Sequence, residues 1–175
     1  MSAVPGDAAA AVVARLHERG WMVAVAESLT GGLVASAIVD VPGASTVFGG
    51  AIVAYATPLK ASLLGVDRQL LDTHGAVHPE VARQMAEGVR RACAVDGRAA
   101  DVGVSTTGIA GPDSPDGQPV GTVHIGVATP EGTSVHSVVL CGARSQIRRA
   151  AVQAAIDALC EAVGPGAPAG ERGNT

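Results

Sequence analysis

From Met22 to Ala26 the chain is apolar at every position without the 3.6-residue spacing of a helix face. A short run of this kind is most simply a strand buried on both sides. It leads through Glu27-Ser28-Leu29-Thr30-Gly31-Gly32 into a second apolar segment, expected as a helix from Gly32 to Val39 and closed by Pro42-Gly43. A doubly buried strand needs cover above and below. With strands that first alternate with helices and then end in a hairpin, the expected class is α/β, one domain with a mixed sheet and helices on its faces.

The rest of the chain fits that frame. Residues 7–19 read as a helix with Val12 and Leu16 inward and Gly20 at its end. Val47 to Tyr55 is strand-like. Thr57-Pro58 reads as an N-cap followed by proline, opening a short helix through Leu64, and Asp67 caps another. Pro79 to Cys93 places Val81, Met85, Val89 and Ala92 on one face. Val102 to Thr107 is a third strand. Thr122–Ala128 and Thr133–Leu140 form a hairpin around Thr-Pro-Glu-Gly, and Ile147 to Val163 is the last helix. One domain is expected over 1–163, with a disordered tail at 164–175. The chain holds one Trp, one Tyr and one Phe, so Ala, Val, Leu and Ile must build the core.

Charge and composition exclude several classes of function. A net charge of -4, with no Lys/Arg run able to track phosphates, argues against nucleic acid as a partner. No uncharged apolar stretch is long enough to span a membrane. The first twenty residues read as an ordinary helix rather than a signal peptide, and a cytoplasmic protein is expected. Cys93, Cys141 and Cys160 are odd in number and widely spaced, which fits reduced core cysteines. His74 and His78 stand four apart, but Gly75 and Pro79 interrupt any helix through both. No metal or cofactor is expected.

Four stretches carry chemistry. In the first, a strand entering a helix through glycines places Ser28 and Thr30 beside the N–H groups of a first helical turn. A hydroxyl there can attack while the N–H groups hold an anion; a plain N-cap suits the same residues. The second, Phe48 to Lys60, holds the only Phe and the only Tyr. Lys60, if desolvated, can serve a serine as base, and the Tyr55 hydroxyl can relay or orient the proton. Taken alone, the stretch suits a core aromatic and a solvated lysine better. An unbulged strand would send Phe48 and Tyr55 to opposite faces. The third runs from Ser105 to Gly121 and is glycine-rich without being a Walker A or dinucleotide motif. Its small residues would let backbone N–H groups approach a ligand; a surface loop is the alternative. In the fourth, Arg144 lies at the approach to the last helix and Arg148 in its first turn, where the helix dipole disfavours cations. A clamped anion explains them, as do ordinary surface arginines.

Together, Ala-Glu-Ser-Leu-Thr-Gly-Gly, Gly-Gly-Ala-Ile-Val-Ala-Tyr with Lys60 five residues on, Leu-Leu-Gly-Val, His-Gly-Ala-Val, Thr-Gly-Ile-Ala-Gly-Pro, Pro-Val-Gly-Thr-Val and Arg-x-x-x-Arg occur in this order. The set resembles the C-terminal domain of the CinA (competence/damage-inducible) proteins over roughly Ala9 to Val163. Members include stand-alone amidohydrolases that deamidate nicotinamide mononucleotide (NMN). The resemblance implies a serine amidohydrolase of three-layer α/β/α architecture without metal, with Ser28 as nucleophile, Lys60 as general base and Tyr55 as assisting hydroxyl. It implies nucleotide and oxyanion contacts from Thr30, Gly31 and Gly32 and from Thr107, Gly108, Ile109, Ala110 and Gly111. Phosphate contacts would come from Arg144 and Arg148, and Phe48 joins the substrate-binding set. His78 stands where Ser is common, which should weaken the cap of the long helix. Ala143 precedes Arg144 where a polar residue is usual.

The reading that follows is NMN hydrolysis to the nicotinate nucleotide and ammonia. The alternatives are a related amidase acting on another carboxamide or nucleotide, and a non-catalytic nucleotide-binding module. The expected partner is a small-molecule nucleotide, and a homodimer is compatible with the composition.

Overall fold

The computed structural model describes residues 5–114 and 117–164; the tail beyond 164 lies outside them. Helix α1 (Pro5–Arg19) precedes strand β1 (Val23–Glu27), helix α2 (Leu33–Val39) and strand β2 (Phe48–Val53). Helices α3 (Thr57–Leu64), α4 (Arg68–His74) and α5 (Pro79–Ala92) follow. Strands β3 (Val102–Gly108), β4 (Thr122–Thr129) and β5 (Gly132–Val139) lead to helix α6 (Arg144–Ala162). The sheet order is β2-β1-β3-β4-β5. β1 is parallel to both β2 and β3, whereas β3–β4 and β4–β5 are antiparallel. This is the mixed three-layer sheet that the sequence predicts.

Alternation along β1 shows how the layers form. Val23 and Val25 join a core with Val12 and Leu16 of α1, Val34 and Ile38 of α2, and Ala151 and Leu159 of α6. Ala24 and Ala26 face the other way, into a core with Leu64 of α3 and Val81, Met85 and Val89 of α5. The small residues on that second face let α5 lie very close to the sheet. A Cβ added at Gly103 or Gly126 would collide with the backbone carbonyls of Ala86 or Ala82 on α5. Ser105 fits the same narrow gap by donating its hydroxyl to the Ala82 carbonyl at 2.6 Å.

Several expected boundaries move, each for a local reason. β1 extends through Glu27, which is fully buried, because its carboxylate finds partners at the start of α2. β2 ends at Val53, leaving Tyr55 just beyond it, and its register with β1 shifts between Val23 and Ala24. Thr57 is not the cap of α3: Ala56 holds that position and Thr57 is already helical. α6 starts at Arg144 rather than Ile147, since the Gln146 side-chain oxygen accepts the Ala143 N–H at 2.7 Å and closes the turn early. His78 does not weaken α5; its Nδ1 accepts the Glu80 N–H at 3.1 Å and caps the helix. Ala92 is exposed at the end of α5, so the buried face stops at Val89. Cys93 and Cys160 are half-buried and Cys141 is exposed, so only two of the three approach the expected core setting. Among the described residues, no helix is long and apolar enough to cross a membrane.

Candidate active site

Parallel pairing aligns the carboxyl ends of β1, β2 and β3, and in an open α/β sheet the crevice beyond those ends is where ligands bind. A cavity of about 580 Å³ opens there, within the range of small-molecule sites. Ser28 and Leu29 leave β1 into it, Tyr55 leaves β2, and Thr107 to Gly111 leave β3. Lys60 reaches it from α3 and Arg144 from α6.

Ser28 Oγ lies 3.1 Å from Lys60 Nζ. Lys60 is 1% exposed and Ser28 8%. The amine also donates to the carbonyls of Ala54 at 2.7 Å and, more weakly, Tyr55 at 3.4 Å. Among the described residues no carboxylate pairs with it. Burial disfavours the ammonium form and pulls the lysine down from 10.5 to about 8. A neutral amine has two N–H bonds and one lone pair. With the two N–H bonds on carbonyls, the lone pair is left for the serine hydroxyl, as a general base requires.

The turn after Ser28 is organised differently from the sequence expectation. The first-turn N–H groups of α2 are not open to a ligand. Glu27 Oε2 accepts the N–H groups of Gly32 (2.9 Å) and Val34 (3.1 Å), and Oε1 accepts that of Ala35 (2.9 Å). The protein's own carboxylate thus occupies the helix anion site. Thr30 is fully buried and bonds through Oγ1 to Thr106 Oγ1 at 2.8 Å, away from the cavity wall. Gly31 and Gly32, both at positive φ, make the turn itself and do not line the cavity.

The two arginines divide. Arg144 donates to the Gly111 carbonyl at 2.6 Å and to the Tyr55 hydroxyl at 3.0 Å, joining the β3 loop to the β2 end across the mouth. It remains exposed, with guanidinium N–H groups to spare for an anion. Arg148 is committed to the chain: its Nε and Nη2 donate to the carbonyls of Leu29 and Thr30, both at 2.9 Å. It lies in the second turn of α6 and does not line the cavity. Tyr55 is 59% exposed, and its hydroxyl meets Arg144 rather than Ser28 or Lys60, so it forms part of the rim. Phe48 is at the far end of the sheet, opposite Val23, packed on the α1–α2–α6 core; it plays no part in this cavity.

Thr107, Gly108, Ile109, Ala110 and Gly111 all line the cavity as expected. Leu71, Gly75, Ala76, Val77 and Asp113 line it as well, although sequence reasoning did not place them in the site. The Ala76–Val77 wall is held by Thr107 Oγ1 donating to the Ala76 carbonyl (2.7 Å) and Gln118 donating to that of Val77 (2.6 Å). The signal available was His-Gly-Ala-Val, noted as a pattern without a role. His74 and His78 stack with ring centroids 4.8 Å apart. Among the described residues no group of three His, Cys, Asp or Glu side chains converges as a metal site.

The family description "CinA C-terminal domain" matches residues 6–163. A CinA-like protein of Frankia casuarinae is 51% identical over 146 residues, covering 83% of this chain and 33% of the relative. A CinA-like protein of Anaeromyxobacter sp. is 49% identical over 152 residues, covering 86% and 36%. The chain thus spans about a third of the length of the curated relatives it matches. Among solved structures, the competence/damage inducible protein CihA of Agrobacterium tumefaciens is 33% identical with a TM-score of 0.84, covering 94% of this chain and 100% of that one. A CinA superfamily protein of Klebsiella pneumoniae gives 26% identity and a TM-score of 0.85, covering 92% and 98%.

Proposed function

Since the chain belongs to the CinA C-terminal domain family, we propose that its cleft hydrolyses the carboxamide of a nicotinamide nucleotide, NMN in particular, to the carboxylate and ammonia. The observation that carries this reading is the buried Ser28–Lys60 pair, 3.1 Å apart, with the lysine held near pH 8 by desolvation. A structural lysine would more often be solvated or paired with a carboxylate; this one is poised to take a proton from a hydroxyl.

The chemistry runs in two halves. Ser28 Oγ attacks the amide carbon, its proton passes to Lys60 Nζ, and the carbonyl electron pair moves onto oxygen. Collapse of the tetrahedral intermediate breaks the C–N bond, and the Lys60 ammonium returns its proton to the departing nitrogen, which leaves as ammonia. Water then attacks the ester with Lys60 again as base, and the acid departs as Ser28 is restored. The electron-poor pyridinium ring makes its carboxamide more electrophilic than an ordinary one, which suits a serine activated only by an amine. Arg144, exposed at the rim, is the residue placed to hold a phosphate while the ring reaches the serine.

The test is ammonia release from NMN, nicotinamide riboside and free nicotinamide. NMN is expected to react fastest, and loss of the phosphate should raise KM. Equal use of all three would contradict a nucleotide substrate and favour a general amidase; reaction with none would leave a binding module.

A further inference from the structure

Around the nucleophile, most backbone groups from Ser28 to Gly32 are already bonded. Ser28 N–H donates to the Thr106 carbonyl at 3.1 Å, and Gly31 N–H to the Ser28 carbonyl at 3.1 Å. Gly32 N–H goes to Glu27, and the Leu29 and Thr30 carbonyls go to Arg148. Among the described residues, the N–H groups of Leu29 and Thr30 are left without a partner. Leu29 lines the cavity beside the attacking serine, on the C-terminal side where acyl-transfer sites hold the developing oxyanion, whereas Thr30 is fully buried off the cavity wall.

Both unpartnered groups stand at the end of a hydrogen-bond chain that begins on one guanidinium. Arg148 Nη2 donates to the Thr30 carbonyl; the N–H of that same peptide, Gly31, donates to the Ser28 carbonyl; the N–H of that next peptide is Leu29's. The second chain is shorter: Arg148 Nε donates to the Leu29 carbonyl, whose peptide carries the Thr30 N–H. Every bond points the same way, so each peptide is polarised by the one before it, with a positive charge at the head. We infer that Arg148 is a positioning residue that polarises the Leu29 N–H group into an oxyanion donor without touching substrate. This rests on Ser28 as the nucleophile but not on the identity of the amide.

The role differs from that of a phosphate contact, and it differs from a mere brace. A phosphate contact acts on KM. A brace that only fixes the turn would be matched by any substitution that leaves the turn in place. Polarisation acts on the step in which charge develops, so it appears in kcat and in any other attack by Ser28 that builds charge on an oxygen.

A fluorophosphonate probe reads this directly. Ser28 Oγ–P forms, P–F breaks with fluoride leaving, the serine proton goes to Lys60, and the phosphoryl oxygen gains charge in between. Removing one oxyanion donor outright costs roughly 100- to 1000-fold. Weakening that donor without removing it should slow labelling roughly 3- to 30-fold in Arg148→Met. Arg148→Lys keeps the charge but reaches one carbonyl, and should fall between. The pH midpoint of labelling, set by Lys60, should not move. With NMN, kcat should fall in the same order while KM changes by less than about threefold.

Equal labelling of wild type and both variants would overturn the inference, as would a raised KM at unchanged kcat. If Arg148→Met does not melt cooperatively, Arg148→Lys decides alone. Labelled wild type without NMN turnover would change the substrate, and the labelling rates would still decide the role of Arg148. Wild type that is never labelled would overturn the nucleophile and this inference with it.

Discussion

Lys60 is the residue on which the chemistry turns, because its burial and its basicity have one cause. With a titration near pH 8, only a minority of molecules carry the neutral amine at pH 7, and kcat is expected to rise about tenfold per unit below that value and level above it. The same shift has a stability consequence. The folded lysine titrates at about 8 and the unfolded one at 10.5, so between them the unfolded chain binds more protons, and stability rises with pH across that window. Lys60→Met should abolish activity and also remove that rise, as urea unfolding at pH 7.5, 9 and 10.5 would show. A rise that persists in the variant would place its origin elsewhere. Ser28, Lys60 and the spacing between them were legible in the sequence. The commitment of Arg148 was not, since its carbonyl partners lie 118 and 119 positions away and no local pattern reports a fold-level contact. Tyr55 differs from its expected role for a related reason: its nearness to Lys60 is real, but through its backbone carbonyl.

At the level of elements, the strand–turn–helix unit from β1 to α2 is held by one buried carboxylate. Glu27 accepts three helix N–H groups while fully buried, and hydrogen bonds to a charged group contribute roughly 1.5–3 kcal/mol each. Glu27→Ala should cost about 3 kcal/mol or more in urea unfolding and displace Ser28 with the turn; a loss under about 1 kcal/mol would refute that role. The close approach of α5 gives a second expectation. Gly126→Ala would push a Cβ against the Ala82 carbonyl and Ser105 Oγ, and overpacking of this kind typically costs about 1–3 kcal/mol. Stability equal to wild type would show that α5 can retreat freely. Helix and strand identities were legible because their periods differ. Starts were less so: Ala56 and Ala143 carry no capping side chain, and His78 caps through a ring nitrogen that composition rules discount.

Across the whole molecule, the sheet order makes the site. Three strand ends converge because β1 lies between β2 and β3 in parallel, and α6 crosses back with Arg144 at the mouth and Arg148 beneath the turn. The layer architecture followed from strands that alternate with helices before a closing hairpin, but which loops face each other depends on strand order, which that pattern does not encode. That is why Gly75 to Val77 read in sequence as a motif and not as a wall, and why Phe48, at the opposite end of the sheet, reads with the site. Arg144→Ala should raise KM for NMN at least tenfold with little change in kcat, and should barely affect nicotinamide riboside; parallel losses on both substrates would mean that Arg144 organises the mouth instead of holding phosphate. The most direct test of the whole account is ammonia and nicotinate-nucleotide release from NMN by wild type and Ser28→Ala side by side. Turnover by the wild type, reduced about 1000-fold or more in the variant with its melting temperature retained, is the predicted result; a Ser28→Ala variant that turns over NMN like the wild type would contradict it.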